Sequence, residues 1–449
     1  MATWKTLVRV GGVTGLVCTV VFAVAVQAPC SAEDIATDFA SVKKEILAKT
    51  HSKVASERVV GMQELAKYPV PDAAELLLKF GLVDQEVEVR AAARAALGEY
   101  KDHPEIAKRL LDLMKVTGRK QGLTVATANL LIAQGAFESE ELDTSIPKYL
   151  DEILESSKTN PNAPFDLIDE LGNEHDVMAR RTLFRMARSQ YFQSNYAYRR
   201  AIVQALSKIR QPEVVDLFVQ LLPLAQGQVQ FDIIKALTQF TGQKFKDNNP
   251  AWTQWWTTAS KDYVLPDTQD IVLDIDPAAV YYGIPICAKR VEFVLDTSGS
   301  MRGEPIATAK QTLADTILKL PESVEFNIIF FNAEARSWKK ELVPATATNK
   351  HQAKLAIEGS PLGRLTASNR ALAAAFADMP EAIYFLSDGA PTDARPREIV
   401  AAISRLNHTR RVCVHTIGIG TDRAETEALG LFMKGLAEPN WGEYRAVGF

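Results

Sequence analysis

The chain carries almost no net charge. Its 51 Lys and Arg residues oppose 55 Asp and Glu residues, which leaves a formal charge of -4 over 449 residues. This balance excludes a global attraction to nucleic acid or acidic membranes, so any such preference must be local. With 47% hydrophobic and 24% charged residues, the composition is that of a globular protein. The length exceeds what one hydrophobic core supports, which predicts two or three domains.

The chain also lacks several short motifs that mark enzyme families. No GxSxG, HExxH or GxxxxGK[ST] sequence occurs, and GIGTDR at 418–423 lacks the third glycine of a dinucleotide fingerprint. The six histidines are scattered, and His415 is expected to be a strand or core residue. We therefore expect no enzyme activity. The rival interpretation is a metal-dependent hydrolase that uses Asp296 and Asp388.

Cysteine is scarce, and only two of the four cysteines lie in the expected folded domains. Cys287 and Cys413 both occur in apolar, strand-like stretches. A disulfide between them is conceivable in an oxidising compartment, but a buried free thiol is the more common state in such stretches. We favour free thiols.

The first 32 residues differ in kind from the rest. Lys5 and Arg9 precede a long apolar run, and small residues follow it near Cys30. The pattern predicts either a cleaved signal peptide or an uncleaved membrane anchor at about residues 10–28. QAPC lacks the small residue that normally precedes a lipoprotein cysteine, so acylation of Cys30 is not predicted. In both cases we expect the rest of the chain outside the cytoplasm: periplasmic, extracellular or membrane-anchored.

Residues 36–258 have a helical pattern almost throughout, with no convincing run of alternating strand residues. In EVEVRAAARAALGEY the period places four apolar residues near one another on an amphipathic face. They are Val87, Ala91, Ala95 and Leu97.

Similar helical units recur further along this region. A helix ending near Ile209 is followed by a Gln-Pro turn and a second helix from Glu213, and another helix covers 229–242. The spacing of roughly 35–45 residues is that of stacked helical repeats. The region resembles the HEAT-repeat family, most closely over 86–100 and 198–242. The resemblance implies an all-α solenoid that offers a binding surface.

Three tryptophans follow the last helical unit. Trp252, Trp255 and Trp256 lie in TGQKFKDNNPAWTQWW, which looks like a closing element of such repeats. Capping is the favoured interpretation, because a terminal repeat needs an atypical partner to cover its apolar face. A carbohydrate or ligand platform is the alternative.

One stretch of the helical region has no acidic residue. Residues 177–212 contain only basic charges, interleaved with tyrosine and phenylalanine. The basic stretch 180–210 is a candidate surface for an acidic partner. A solvated helix face, neutralised by acidic residues of neighbouring repeats, is the simpler interpretation, and no nucleic-acid partner is expected.

After a proline-containing linker and lead-in strand at 259–285, the pattern changes to alternating strands and helices. Four near-continuous apolar runs are typical of strands covered on both faces: 291–296, 324–332, 382–388 and 411–420. Helical segments separate most of them: 305–320, 368–379, 397–407 and 423–436. Residues 286–449 are therefore predicted to form a doubly wound, Rossmann-like α/β domain with a parallel sheet. Its ligand site belongs at the carboxyl ends of the strands.

Five hard oxygen donors follow these strands or precede a helix: Asp296, Ser298, Ser300, Thr366 and Asp388. The C-terminal region resembles the von Willebrand factor type A family from about residue 286 onwards. The metal-ion-dependent adhesion site of that family combines a DxSxS motif, a distant Thr and a later Asp. All three parts occur in this chain in the same order. The resemblance implies that Ser298, Ser300 and Thr366 contact the metal, while both aspartates act mainly through water and hydrogen bonds.

The implied cofactor is Mg²⁺, or Mn²⁺ or Ca²⁺ in its place. A small hard cation requires about six oxygens and releases its waters reluctantly, which suits hydroxyls with water-mediated carboxylates. A cation held by neutral oxygens lacks one anionic ligand, and a partner's carboxylate can fill that place. We therefore expect metal-dependent protein binding, with metal-independent scaffolding as an alternative. Arg364 and Leu365 stand where the family usually has two glycines, which affects metal affinity more than the fold.

Overall fold

The computed structural model describes residues 32–82, 84, 86–100, 103, 105–106, 109, 162–173, 177–266, 277, 279–420 and 424–448. The predicted signal or anchor segment, residues 110–161 of the helical region and residues 267–276 of the predicted linker lie outside these ranges. Within them, no helix combines the length and the hydrophobicity needed to cross a bilayer.

The described part of the N-terminal region is helical, as the sequence period predicts. Its helices are α1 (Ala32–Thr50), α2 (Ala55–Leu65), α3 (Pro71–Leu76, continued by a π-helical turn at Leu77–Gly81), α4 (Val87–Gly98), α5 (Ala163–Asn173), α6 (Val177–Ala187), α7 (Gln190–Ser194), α8 (Tyr196–Leu206), α9 (Pro212–Leu221), α10 (Gly227–Thr241) and α11 (Asn249–Ala259). Successive helices pack in pairs, such as α1 on α2 and α9 on α10. The assignment to HEAT repeats stays a prediction.

Two of the four residues predicted on the apolar face of α4 lie on its exposed side. Ala91 and Ala95 are exposed, whereas Val89 and Ala93 are buried together with Leu97. Alanines occur on both sides of this helix, so the apolar pattern does not distinguish the two faces. The larger side chains decide, because burying them removes more apolar surface from water.

The tryptophans after α10 close the helical core. Trp252 is 0% and Trp256 5% exposed, and Trp255 is partly buried against the same cluster. The Trp252 ring lies edge-on to Phe245 at 5.1 Å, and the Trp255 ring lies edge-on to Tyr263 at 5.3 Å. Rings buried in this way cannot form an open platform, which agrees with the capping interpretation.

The C-terminal region contains a small hairpin and a seven-stranded sheet. The hairpin pairs β1 (Val280–Tyr281) with β2 (Ile284–Pro285). The sheet strands are β3 (Arg290–Asp296), β4 (Glu325–Phe331), β5 (Ala335–Ser337), β6 (Val343–Pro344), β7 (Ala382–Ser387), β8 (Cys413–Ile419) and β9 (Tyr444–Val447). Their order is β5-β4-β3-β7-β8-β9, with β6 also paired to β4.

The sheet is mixed, not wholly parallel as predicted. Strands β3, β4, β7, β8 and β9 are mutually parallel, but β5 and β6 run antiparallel to β4. The short strands β5, β6 and β9 are absent from the sequence prediction. Each lies at the sheet margin and is at best half-buried, so it lacks the continuous apolar run that identifies the central strands.

Helices cover both faces of this sheet. They are α12 (Glu304–Lys319), α13 (Ala347–Gly359), α14 (Ser368–Ala375), α15 (Pro396–Asn407) and α16 (Ala424–Ala437). Helices α12 and α13 pack on one face, and α14, α15 and α16 on the other. The sequence prediction omits α13 and extends α14 four residues too far. The doubly wound arrangement itself is as predicted.

The helical region packs against the amino-terminal edge of the sheet. Lys289, Glu381 and Arg411 immediately precede or lie close to the starts of β3, β7 and β8. The backbone N–H of Gln228 donates to Glu381 Oε2 at 3.0 Å, and Arg411 Nη2 donates to Asp169 Oδ2 at 2.6 Å. Among the described residues, the hydrogen bonds between the two regions all lie on this side of the sheet. The carboxyl-terminal edge faces away.

Candidate metal centre

Neighbouring parallel strands end in oxygen-bearing residues at the carboxyl edge of the sheet. Asp296 is the last residue of β3, and Ser387 and Asp388 stand at the end of β7. After β3 the chain forms a 3-10 turn at Gly299–Met301. Because β3 and β7 are adjacent and parallel, their ends meet at one place. The sheet topology thus places the two predicted aspartates side by side.

The predicted hydroxyls and the second aspartate form a continuous chain of oxygens. Ser298 Oγ lies 2.9 Å from Ser300 Oγ, and Ser300 Oγ donates to Asp388 Oδ1 at 2.8 Å. Ser298 is 2% exposed, whereas Ser300 is exposed. The cluster is therefore buried at Ser298 and open to solvent at Ser300.

Thr366 joins this cluster from the loop before α14. Its backbone N–H donates to Thr392 Oγ1 at 3.0 Å, and its carbonyl accepts from Thr392 N at 2.9 Å. A Cβ built on Gly389 would lie 3.8 Å from both Ser300 Oγ and Thr366 Oγ1. The two hydroxyls thus border the same small space, which the absence of a side chain at Gly389 leaves open.

Asp296 supports the cluster from below and is 0% exposed. Its Oδ1 accepts from Ser298 N at 2.7 Å, and its Oδ2 accepts from Ser387 Oγ at 2.5 Å. Burial raises the pKa of Asp296 to about 7, against the lowering effect of these hydrogen bonds. Burial also raises the pKa of Asp388, which Ser300 partly offsets. Neither carboxyl pairs with a cationic side chain of the described residues, and a cation in the cluster would favour their ionised forms.

These residues fit a small, hard cation. Three hydroxyl oxygens and the Asp388 carboxyl lie around one partly open space, with Asp296 buried beneath them, and oxygen donors of this kind suit Mg²⁺, Mn²⁺ and Ca²⁺. Within the described ranges, no three His, Cys, Asp or Glu side chains come together in a way that could hold a metal. A site here would therefore rely on hydroxyls and water, as the DxSxS resemblance implies.

The residue before Thr366 has an unusual backbone. Leu365 has φ of +67°, in the left-handed region that residues other than glycine rarely adopt. Its side chain is 60% exposed. Arg364 is also exposed, with no hydrogen bond or ion pair to a described residue. The loop thus keeps a conformation suited to glycine while presenting an apolar and a cationic side chain beside the cluster.

Several residues that hold the cluster in place are not among those predicted from the sequence. Ser387 hydrogen-bonds Asp296, Thr392 holds the backbone of Thr366, and Thr297 Oγ1 accepts from Asn332 Nδ2 at 3.1 Å. Hydroxyl residues beside the motif were the available signal. Their roles depend on which loops meet, and the motif spacing does not reveal this.

The basic stretch 180–210 is largely engaged within the protein. Arg180 pairs with Glu213 at 2.6 Å, and Arg200 is 1% exposed and pairs with Asp232 at 2.7 Å. Acidic residues of neighbouring helices therefore neutralise part of it, as the simpler interpretation expects. Its use by an acidic partner stays a prediction.

The remaining candidates have structural surroundings. His415 is 8% exposed in β8, and its ring stacks on Tyr384 at 4.7 Å. Burial lowers the pKa of His415 to about 3, which keeps the ring neutral. Cys287 and Cys413 are free thiols, the first half-buried and the second buried. None of the three touches the oxygen cluster at the other edge of the sheet.

Residues 289–446 match the family model described as von Willebrand factor type A domain. The match covers the strands and loops that carry all five predicted residues. The C-terminal part of the chain thus contains an α/β domain of von Willebrand factor type A type, as the sequence resemblance implied.

Curated relatives share this part of the chain. Inter-alpha-trypsin inhibitor heavy chain H4 of Homo sapiens is 33% identical over 172 residues, which are 34% of this chain and 18% of that protein. The human von Willebrand factor A domain-containing protein 3B is 27% identical over 160 residues, or 35% of this chain and 12% of that protein. The chain thus spans less than a fifth of the length of these relatives.

Solved structures match about the same share of this chain as the curated relatives do. A von Willebrand factor type A protein from Catenulispora acidiphila has 21% identity and a TM-score of 0.32, covering 36% of this chain and 39% of that one. The conserved hypothetical protein BatB from Bacteroides thetaiotaomicron has 18% identity and a TM-score of 0.29, covering 35% and 89%. Both matches leave most of this chain uncovered.

Proposed function

We propose that the chain binds a partner protein through a divalent cation held at the carboxyl edge of the sheet. The observation that carries the proposal is that Ser298, Ser300, Thr366 and Asp388 lie around one open space, with Asp296 buried beneath them. When bound, the cation supplies a coordination position for a carboxylate oxygen of the partner. The protein's own residues hold and orient it, with no catalytic step.

The charge of the donor set supports a binding role. The predicted direct ligands Ser298, Ser300 and Thr366 are neutral, so the cation keeps most of its charge. The buried Asp296 is tied by hydrogen bonds to Ser298 N and Ser387 Oγ, which leaves its oxygens occupied in positioning the motif. A cation with neutral ligands on the protein side favours an anionic ligand on its open side. An acidic side chain of a partner meets this requirement.

The rim beside Thr366 suits the same type of partner. Arg364 can donate to a second carboxylate oxygen, and the exposed Leu365 adds an apolar contact. We therefore propose that the partner presents an acidic residue next to an apolar one. An exposed arginine beside a cation also repels it, so metal affinity should rise when Arg364 is neutralised.

The helical region supports a scaffold role. It docks on the amino edge of the sheet, so the cation site remains accessible on the opposite side. We propose that it is a HEAT-like solenoid that offers a second protein-binding surface, with the basic stretch 180–210 as its candidate contact for an acidic partner. Export, through the N-terminal segment, is part of the same proposal.

Metal titration of the full chain tests the proposal. Calorimetry with Mg²⁺, Mn²⁺ and Ca²⁺ should give saturable binding, and Ser298→Ala and Thr366→Ala should weaken it by roughly tenfold or more. Ser194→Ala is the matched control, because Ser194 is exposed and bonds only local carbonyls of the helical region. Equal affinities in all four proteins would contradict a metal centre at this edge.

A second measurement tests the open coordination position. Water-proton relaxation by protein-bound Mn²⁺ should fall when acetate is added, because a carboxylate displaces a bound water. Acetamide should have no effect. Metal binding without any response to acetate would contradict carboxylate capture.

A metal-dependent hydrolase is the second candidate, because Asp296 and Asp388 are paired carboxyls with raised pKa values. Turnover of p-nitrophenyl acetate or p-nitrophenyl phosphate that Ser298→Ala abolishes would support it. Absence of turnover, together with metal-dependent acetate binding, would favour the adhesion role. Partner capture that survives EDTA would indicate a metal-independent scaffold.

A further inference from the structure

A cavity of about 450 Å³ lies between the helical region and the amino edge of the sheet. Helices α8 and α10 form one wall, and the other wall comes from residues next to β2, β8 and β9. It is on the opposite side of the domain from the oxygen cluster. A volume of this size is typical of sites for small organic ligands.

The wall from the helical region is rich in cations. Arg200, Lys208 and Lys235 line the cavity, against the two carboxylates of Asp232 and Glu443. Three positive charges thus face two negative ones within the cavity itself.

Both carboxylates already have partners. Asp232 accepts from Arg200 Nε at 2.7 Å and from Gln228 Nε2 at 3.0 Å. Glu443 accepts from Arg445 Nη2 at 2.7 Å. Neither carboxylate is therefore available to neutralise Lys208 or Lys235.

Neither Lys208 nor Lys235 forms an ion pair with a described residue. Lys208 donates only to the neutral amide oxygen of Asn173, at 2.8 Å, and Lys235 makes no hydrogen bond or ion pair to a described residue. Both are exposed toward solvent at the cavity mouth. An ammonium group that lacks a carboxylate partner beside a partly apolar cavity is a suitable contact for an anionic group.

The opposite wall is apolar and aromatic. It includes Pro285, Cys287, Cys413 and Trp441, with the neutral ring of His415 beside them. Arg200 does not compete for a ligand, because Nε bonds Asp232, Nη1 bonds the Arg411 carbonyl and Nη2 lies 2.8 Å from Cys413 Sγ. The buried Arg200 therefore stabilises the cavity wall, while Lys208 and Lys235 can contact a ligand.

We propose that this interdomain cavity binds a small organic anion. Its carboxylate or phosphate group lies against Lys208 and Lys235, and its apolar body lies against Trp441 and the two cysteines. The ligand contacts both regions at once, so its binding stabilises their docking. This site is independent of the metal centre.

Calorimetric titration of the full chain with phenylacetate, phenyl phosphate and phenylacetamide tests the proposal. The two anions measure whether a carboxylate or a phosphate is preferred, and the amide has nearly the same shape as phenylacetate without its charge. We expect saturable binding of at least one anion and none of the amide. No binding of either anion at millimolar concentration would overturn the proposal, and so would equal binding of phenylacetate and its amide.

Variants locate the bound anion. Lys208→Gln and Lys235→Gln should each weaken binding by roughly tenfold, because each removes a charge-assisted contact. Lys261→Gln, at an exposed position outside the cavity, should bind as the wild type does. Ser298→Ala should also bind normally, which separates this result from failure of the metal centre. Unchanged affinity in both cavity variants would place the anion elsewhere and contradict the proposal.

Discussion

The two edges of the sheet hold polar groups in opposite ways. At the carboxyl edge, hydroxyls and carboxyls converge on an open space, and their hydrogen bonds are mostly with one another. At the amino edge, Arg200 and Arg411 are buried and bond residues of the helical region or of the α/β domain. The polar groups of the first edge border an open space. The second uses its polar groups to join two parts of the chain.

This difference predicts different consequences of mutation. A buried charge whose partner is removed costs the protein several kcal/mol, because no water replaces the partner. A hydroxyl on an open edge can exchange its partner for water at little cost. Substitutions at the amino edge should therefore affect stability, and those at the carboxyl edge should affect binding.

The largest expected effect on stability is that of Arg200→Met. The change leaves Asp232 without its ion pair and removes the donors to the Arg411 carbonyl and Cys413 Sγ. We expect the free energy of unfolding to fall by about 3–5 kcal/mol, measured by denaturant unfolding. Arg188→Met is the control, because Arg188 is exposed, and it should change stability by less than about 0.5 kcal/mol. Similar losses in both variants would contradict the role of Arg200.

Strand β3 carries two buried carboxyls whose hydrogen bonding differs. Asp296 has hydrogen-bond donors at the carboxyl edge, whereas neither oxygen of Glu292 has a partner in the described structure. Burial, with a smaller contribution from Asp378, raises the pKa of Glu292 to about 9. In the unfolded chain a glutamate titrates near about 4.3.

Stability should therefore depend on pH through Glu292. The folded state retains the proton after the unfolded chain has lost it, so the stability present below about pH 4.3 falls as pH rises toward about 9. Glu292→Gln removes this titration. We expect it to stabilise the protein by roughly 5 kcal/mol at pH 8 and by almost nothing at pH 4, from denaturant unfolding at each pH. An equal effect at both values would contradict the assignment.

Gly227 tests how closely the two regions approach at the amino edge. It has φ of +59°, and a Cβ there would lie 2.2 Å from Glu381 Oε2, which also accepts from Lys289 N. Gly242 has φ of +73° with nothing within 4 Å of its Cβ position. Alanine at either position adds backbone strain, but only Gly227→Ala displaces Glu381. Denaturant unfolding should show Gly227→Ala to be less stable than Gly242→Ala by about 2 kcal/mol.

The smallest expected effect concerns the carboxyl edge. Leu365→Gly relieves a left-handed backbone at an exposed position and should raise the free energy of unfolding by about 1 kcal/mol. Leu355→Gly changes an exposed leucine inside α13 and should lower it by a similar amount, because glycine is unfavourable within a helix. Thermal unfolding of the pair measures both signs. A loss of stability in Leu365→Gly would show that the loop tolerates leucine without strain.

The central strands and the oxygen cluster were predictable from particular residues. FVLDTSGSM shows a buried strand that ends in oxygen donors, and the resemblance to the von Willebrand factor type A family implied that Thr366 and Asp388 join them. The face of α4 was not predictable, because alanines occur on both sides of it. Strands β5, β6 and β9 were missed because margin strands do not need a continuous apolar run.

The sequence by itself determined the class of the C-terminal domain, because strands covered on both faces must be apolar whatever helices cover them. It also indicated that Asp296 and Asp388 lie at one edge, since parallel strands bring their carboxyl ends together, while the family resemblance implied the place of Thr366. Only the tertiary structure decided which arginine of the basic stretch is buried. Arg200 meets Arg411 and Cys413 more than two hundred residues further along the chain. Whether a charge can be buried depends on the partners that folding brings to it, and no local pattern of residues contains that information.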